Sequence, residues 1–193
     1  MYVVTTAPAV EPVSAAEAKL YCRVDDSVED LLFASLIIAA RDYIEKRSKR
    51  TLITTTYRLD AYGFGSSTGC IRIDKGPLIA VSSVQYYDTA GTLTTVTSSN
   101  YRVDTTPLYG EIVPISTYVW PVVQEQRANA VQIAFTAGYG AAATSVPDTA
   151  KTAIKMLVAN WYENREPVSQ GSMGVVPFAV DALIGTFAAP EFY

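Results

Sequence analysis

Histidine is absent from this chain of 193 residues. Without it there is no Ser-His-Asp or Cys-His nucleophile system, and the usual zinc, copper and non-haem iron ligand sets are missing. Cysteine is nearly as scarce. Cys22 and Cys70 stand alone without CxxC spacing and read as reduced thiols of a cytosolic protein. Positive charge is also short: 15 Lys and Arg face 19 Asp and Glu, a net charge of −4. That balance gives no reason to expect tight, non-specific binding to duplex DNA. No apolar run approaches the ~20 residues that span a bilayer, and no basic segment followed by an apolar one stands at Met1. The expectation is a protein with no catalytic residues, no cofactor, no metal and no membrane partner.

What is present suits a globular chain. Hydrophobic residues make up 49% and charged residues 18%, enough to bury a core in one domain or one domain with an insert. Residues 1–10 carry no charge and read as an extended arm. Ser14-Ala-Ala-Glu17 is a capping box opening a helix that ends near Cys22. Asp25-Asp26-Ser27 supply turn and cap chemistry for a long helix from about Val28 to Lys49. Its inward positions Val28, Leu31, Leu32, Ser35–Leu36, Ala39, Tyr43 and Ile44 recur at helical spacing. From Thr51 the period becomes that of strands: Thr51–Tyr62, Cys70–Asp74, Ile79–Asp88, Leu93–Thr97, Tyr101–Val103, Glu111–Ile115 and Val131–Ala137. Pro114 and Pro121 place their neighbourhoods at an edge or in a loop.

Helix then returns. Ser145 is the candidate cap and Pro147 lies in the first turn of a helix over Val146–Arg165. Its stripe of Ala150, Ile154, Leu157 and Trp161 has 4, 3 and 4 spacing. A polar, Gly-bearing break over Glu166–Val176 leads to a short apolar helix, Pro177–Phe187. A greasy helix on a tether is more often a docking element than a catalytic one. The fold class is thus α+β: a helical core over 11–50 and 141–166, an antiparallel β insert over 51–140, and a docking segment with tail over 167–193.

Local motifs favour plain readings. Gly63–Gly69 looks like a phosphate loop but lacks the following Lys-Ser or Lys-Thr. Thr136-Ala-Gly-Tyr-Gly140 is explained by a strand-to-helix turn. Glu163 and Glu166 read as a solvated helix end. Lys46, Arg47, Lys49 and Arg50 suit a helix C-terminus, where the dipole favours cations, and are also the residues able to touch DNA. Trp161 and Tyr162, with Leu157 and Ile154, read as core or its support before they read as a binding platform.

The sequence resembles the head–tail connector, or adaptor, proteins of tailed double-stranded DNA bacteriophages and related prophage elements. Near the start the resemblance rests on Glu11-Pro-Val-Ser-Ala-Ala-Glu-Ala-Lys19, Arg23-Val-Asp25 and Ile44-Glu-Lys-Arg47. In the middle it rests on Lys75-Gly-Pro-Leu-Ile-Ala-Val-Ser-Ser-Val84, Tyr86-Tyr-Asp88 and Tyr101-Arg-Val103. Towards the end it rests on Phe135-Thr-Ala-Gly-Tyr-Gly140, Val146-Pro147, Trp161-Tyr-Glu-Asn-Arg-Glu166 and Val176-Pro-Phe178 through Leu183. Cys22 departs from the pattern, where Leu or a similar residue is expected, and the tail Ala188–Tyr193 has no clear counterpart.

This resemblance implies a structural protein of the virion, assembled in the host cytoplasm and placed at the head–tail junction. It implies a ring, twelve copies in the family, between the portal protein and a downstream stopper or tail protein, with at most passive contact with DNA in the channel. The portal-facing surface is then expected at Pro177, Phe178, Val180, Leu183 and Phe187 with Arg165, supported by Trp161 and Tyr162. Two alternatives stay open: another neck or tail-completion protein of stopper type, and a β-rich polymer-binding module or carboxylate hydrolase.

Overall fold

A computed structural model describes residues 1–65, 69–106, 109–164 and 178–189. The chain divides into two units, Met1–Pro8 with Thr54–Gly138, and Ala9–Ile53 with Tyr139–Tyr193. The first is β and the second helical, an α+β fold.

Strict alternation builds the β unit around β8 (Val131–Ala137), where Val131, Ile133, Phe135 and Ala137 are buried and the residues between them are not. It pairs antiparallel with β2 (Thr55–Ala61) on one side and β4 (Leu78–Tyr87) on the other. β1 (Tyr2–Thr6) and β5 (Leu93–Thr95) are the edges, giving the order β1-β2-β8-β4-β5. Register sets Tyr57 opposite Phe135 and Leu59 opposite Ile133. The Tyr57 and Phe135 rings stack at 5.4 Å. Bulges between Leu78 and Ala80 and between Val81 and Ser83 bend β4 along its partner. A smaller sheet has the order β3-β7-β6, from β3 (Ile71–Ile73), β6 (Tyr101–Asp104) and β7 (Gly110–Pro114). Trp120 lies among its neighbours, stacked on Phe64 at 4.6 Å, its indole N–H donating to the Gly69 carbonyl at 2.9 Å.

The residues expected to form an arm are therefore a strand. β1 pairs with β2, the Tyr2 ring meets Phe135 edge-on, and the Tyr2 hydroxyl accepts from the Asp74 N–H at 2.9 Å. Burial, its largest cause, raises the pKa of Tyr2. Pro114 closes β7 beyond the stretch paired with β3, so it occupies a local edge although β7 is the middle strand.

Helices form the other unit: α1 (Ala15–Cys22), α2 (Asp30–Ser48), α3 (Asp148–Glu163) and α4 (Phe178–Gly185). The capping box is present, with the Ser14 hydroxyl accepting from the Glu17 N–H and Glu17 accepting from the Ser14 N–H. Those Ser14 hydrogen bonds hold the Glu17 carboxyl below its ordinary pKa. Ser145 caps nothing. It ends a short 3-10 turn, and Pro147 occupies the N-cap position of α3 without a side-chain bond.

The core side of α2 is Phe33, Ile37, Ala40 and Ile44, packed with Ala150, Ala153, Ile154, Leu157 and Val158 of α3. This corrects the expected inward stripe, because Val28 and Leu31 are each 88% exposed. A charged network closes the C-terminal half of α2. Arg41 reaches Glu11 at 2.7 Å and Glu45 at 3.3 Å, and Glu45 accepts from the Leu52 N–H at 2.7 Å.

Candidate partner-binding surface

The surface begins with α4, whose short apolar sequence must bury one side to stay folded. Val180 and Ile184 supply that side, at 0% and 3% exposure within the helical core. Leu183 and Phe187 are half-buried against the same cluster, and Phe178 stands out at 89% exposure. Polar bonds fasten the segment to the end of α2. Arg47 pairs with Asp181 at 3.4 Å, the Arg50 guanidinium donates to the Phe187 carbonyl at 3.2 Å, and the Ala189 N–H donates to the Ser48 carbonyl at 2.9 Å. A pocket of about 230 Å³ lies among Arg47, Lys49, Asp181, Ile184 and Gly185.

Of the residues expected on the docking face, Phe178 is open to a partner, Leu183 and Phe187 are half covered, and Val180 is core. Arg165 and Pro177, and the break over Glu166–Val176, lie outside the described residues. Ile154 and Leu157 are fully buried. Trp161 meets Tyr43 edge-on at 6.3 Å. Tyr162 packs on Phe33 with ring centroids 4.8 Å apart and donates its hydroxyl proton to the Glu29 carboxylate. Both aromatics thus brace α3 against α2.

The basic cluster is divided by the end of α2. Lys46 and Arg47 are in its last turn and exposed, and Lys49 follows in the left-handed region at φ 57°. Arg50 is only 6% exposed, and its guanidinium is turned to the Phe187 carbonyl. Cys22 and Cys70 are both free thiols. Burial, and secondarily Glu163, pushes the Cys22 thiol pKa up, which disfavours the reactive thiolate.

A second surface escaped the sequence reading. Leu20 is 78% exposed and Tyr21 47%, on the last turn of α1, and Val28 and Leu31 at the approach to α2 and in its first turn are each 88% exposed. The Lys19 ammonium bridges to Asp30 at 2.6 Å and so holds the end of α1 against the start of α2. The available signal was a second apolar stripe on α2, which helical spacing does not distinguish from the buried one.

No protein-family model matches the chain, and no curated protein matches it. Solved structures do. The chain is 26% identical to a chain from the neck of an empty gene transfer agent particle determined with C6 symmetry, with a TM-score of 0.80 over 100% of this chain and 97% of that one. It is 25% identical to a chain from the virion of a native gene transfer agent particle, with a TM-score of 0.77 over the same shares. A chain from the neck of the native particle, determined with C12 symmetry, shares the fold at 24% identity and a TM-score of 0.73, over 99% of this chain and 97% of that one. The chain therefore has, over its whole length, the fold of a structural protein found in the neck of a phage-like particle.

Proposed function

We infer that the chain is the adaptor of a phage-like neck, a ring of identical copies that joins the portal vertex to the next neck or tail component around the DNA channel. The observation that carries this reading is the full-length likeness to a particle-neck chain, at a TM-score of 0.80. The C6 and C12 symmetries of the similar necks support a cyclic oligomer in the virion. A net charge of −4 supports a channel wall along which DNA slides without being gripped. The role is architectural and non-catalytic.

Phe178 is the foremost portal contact, with Leu183 and Phe187 beside it. Phe178→Asp, at a position 89% exposed, alters the foremost of these side chains and leaves the buried Val180 and Ile184 in place. The variant is expected to keep the wild-type circular-dichroism spectrum and to fail to join portal-bearing heads. Joining at the wild-type level would move the portal contact elsewhere. A ring seen one layer below the portal would favour the stopper reading.

A further inference from the structure

α2 is apolar on two sides. One stripe, Phe33, Ile37, Ala40 and Ile44, is at most 2% exposed. The other carries Leu31 and Ile38, 88% and 44% exposed, and Val28, also 88% exposed, stands in the turn just before the helix. Leu20 and Tyr21 are exposed at the end of α1, whose Lys19 bridges to Asp30 at the start of α2. Next to Ile38, an apolar groove of about 320 Å³ is lined by Val10, Val13, Ala15, Ala34 and Ile37. Large apolar side chains gathered at one exposed site mark a surface that assembly covers.

Charge points to what covers it. Asp25, Asp26 and Asp30 are exposed around the corner and outnumber Arg23 and Lys19. The far end of the same helix carries exposed Lys46, Arg47 and Lys49, with Asp181 beside Arg47. The helix between them is nineteen residues long, about 28 Å at ~1.5 Å per residue. A subunit acidic and apolar at one end and basic at the other suits a head-to-tail contact, in which each copy offers one face and receives on another.

We propose that the corner formed by Leu20, Tyr21, Val28 and Leu31 is the subunit–subunit face of the ring and receives the Lys46–Lys49 end of α2 from the next copy. This rests on the ring reading above. The aliphatic stems of the arriving Lys and Arg side chains cover the apolar corner while their charged heads meet the acidic rim, which fixes direction and excludes the reversed pairing.

Sedimentation velocity over rising concentration tests it, on the wild type, Leu31→Glu, Asp25→Lys, Lys46→Glu and the double variant D25K/K46E. Thermal melts by circular dichroism check the fold, which substitutions at such exposed positions leave intact. The wild type is expected to self-associate, each single variant to weaken association by about tenfold or more, and the double variant to recover much of the loss. Association unaffected by Leu31→Glu, or a double variant no better than the singles, would overturn the proposal. So would a wild type that stays monomeric throughout. Particle imaging separates the two readings: a ring in particles carrying Leu31→Glu defeats this contact and leaves the ring standing.

Discussion

At Gly110 the β unit has no room for a side chain. The glycine pairs with Ile73 in the small sheet, and a Cβ added there would lie 2.2 Å from Leu78 Cδ2 and 2.8 Å from Leu78 Cβ. Gly110→Ala is expected to destabilise by about 1–3 kcal/mol through overpacking, read as a lowered midpoint in urea. Glu45 is the comparable point in the helical unit, being buried and bonded to both Arg41 and the Leu52 N–H. Glu45→Ala strands that N–H and is expected to cost about 1–3 kcal/mol by the same measurement. Glu17 adds a pH dependence. Its folded pKa lies below the ordinary 4.5, chiefly because the Ser14 N–H binds the ionised form. The charge therefore contributes stability above pH 4.5 that is lost as pH falls through the depressed value. Wild type should melt above Glu17→Gln at neutral pH, and the gap should close in acid. A gap constant with pH would contradict the assignment.

At the scale of elements, the sequence announced its helices and strands better than their faces. The capping box, the alternation of β8 and the stripe of α3 each point one way, because one apolar face is offered and one is used. α2 offers two, and helical periodicity alone does not say that Phe33, Ile37, Ala40 and Ile44 go inward while Leu31 and Ile38 stay out. β1 was hidden because a short run of Val and Thr looks like a loose arm until β2 lends it a partner. α4 shows the same limit: Val180 and Phe178 are alike in hydrophobicity, and only the packing on α2 and α3 separates a core residue from an exposed one. That separation predicts opposite outcomes. Ile184→Ala should destabilise the helical unit by about 2–4 kcal/mol, whereas Phe178→Ala should alter stability by less than ~0.5 kcal/mol. Phe178→Ala should instead weaken attachment to portal-bearing heads, measured by co-sedimentation.

For the whole molecule, the helix–sheet–helix order was readable because hydrophobic period changes near Thr51 and again after Ala137. The similar neck chains extend over the same length, so the likeness is not confined to one unit. What no local motif conveys is the assembly. Ring contacts are made by exposed residues whose partners lie on another copy, and a single chain shows them only as uncovered apolar and charged surface. The central claim is therefore tested most directly by cryo-electron microscopy of intact particles carrying this chain with a small tag. The account predicts tag density in a closed ring of cyclic symmetry at the head–tail junction, seated on the portal. Particles in which the chain is absent, or placed away from the neck, would contradict it.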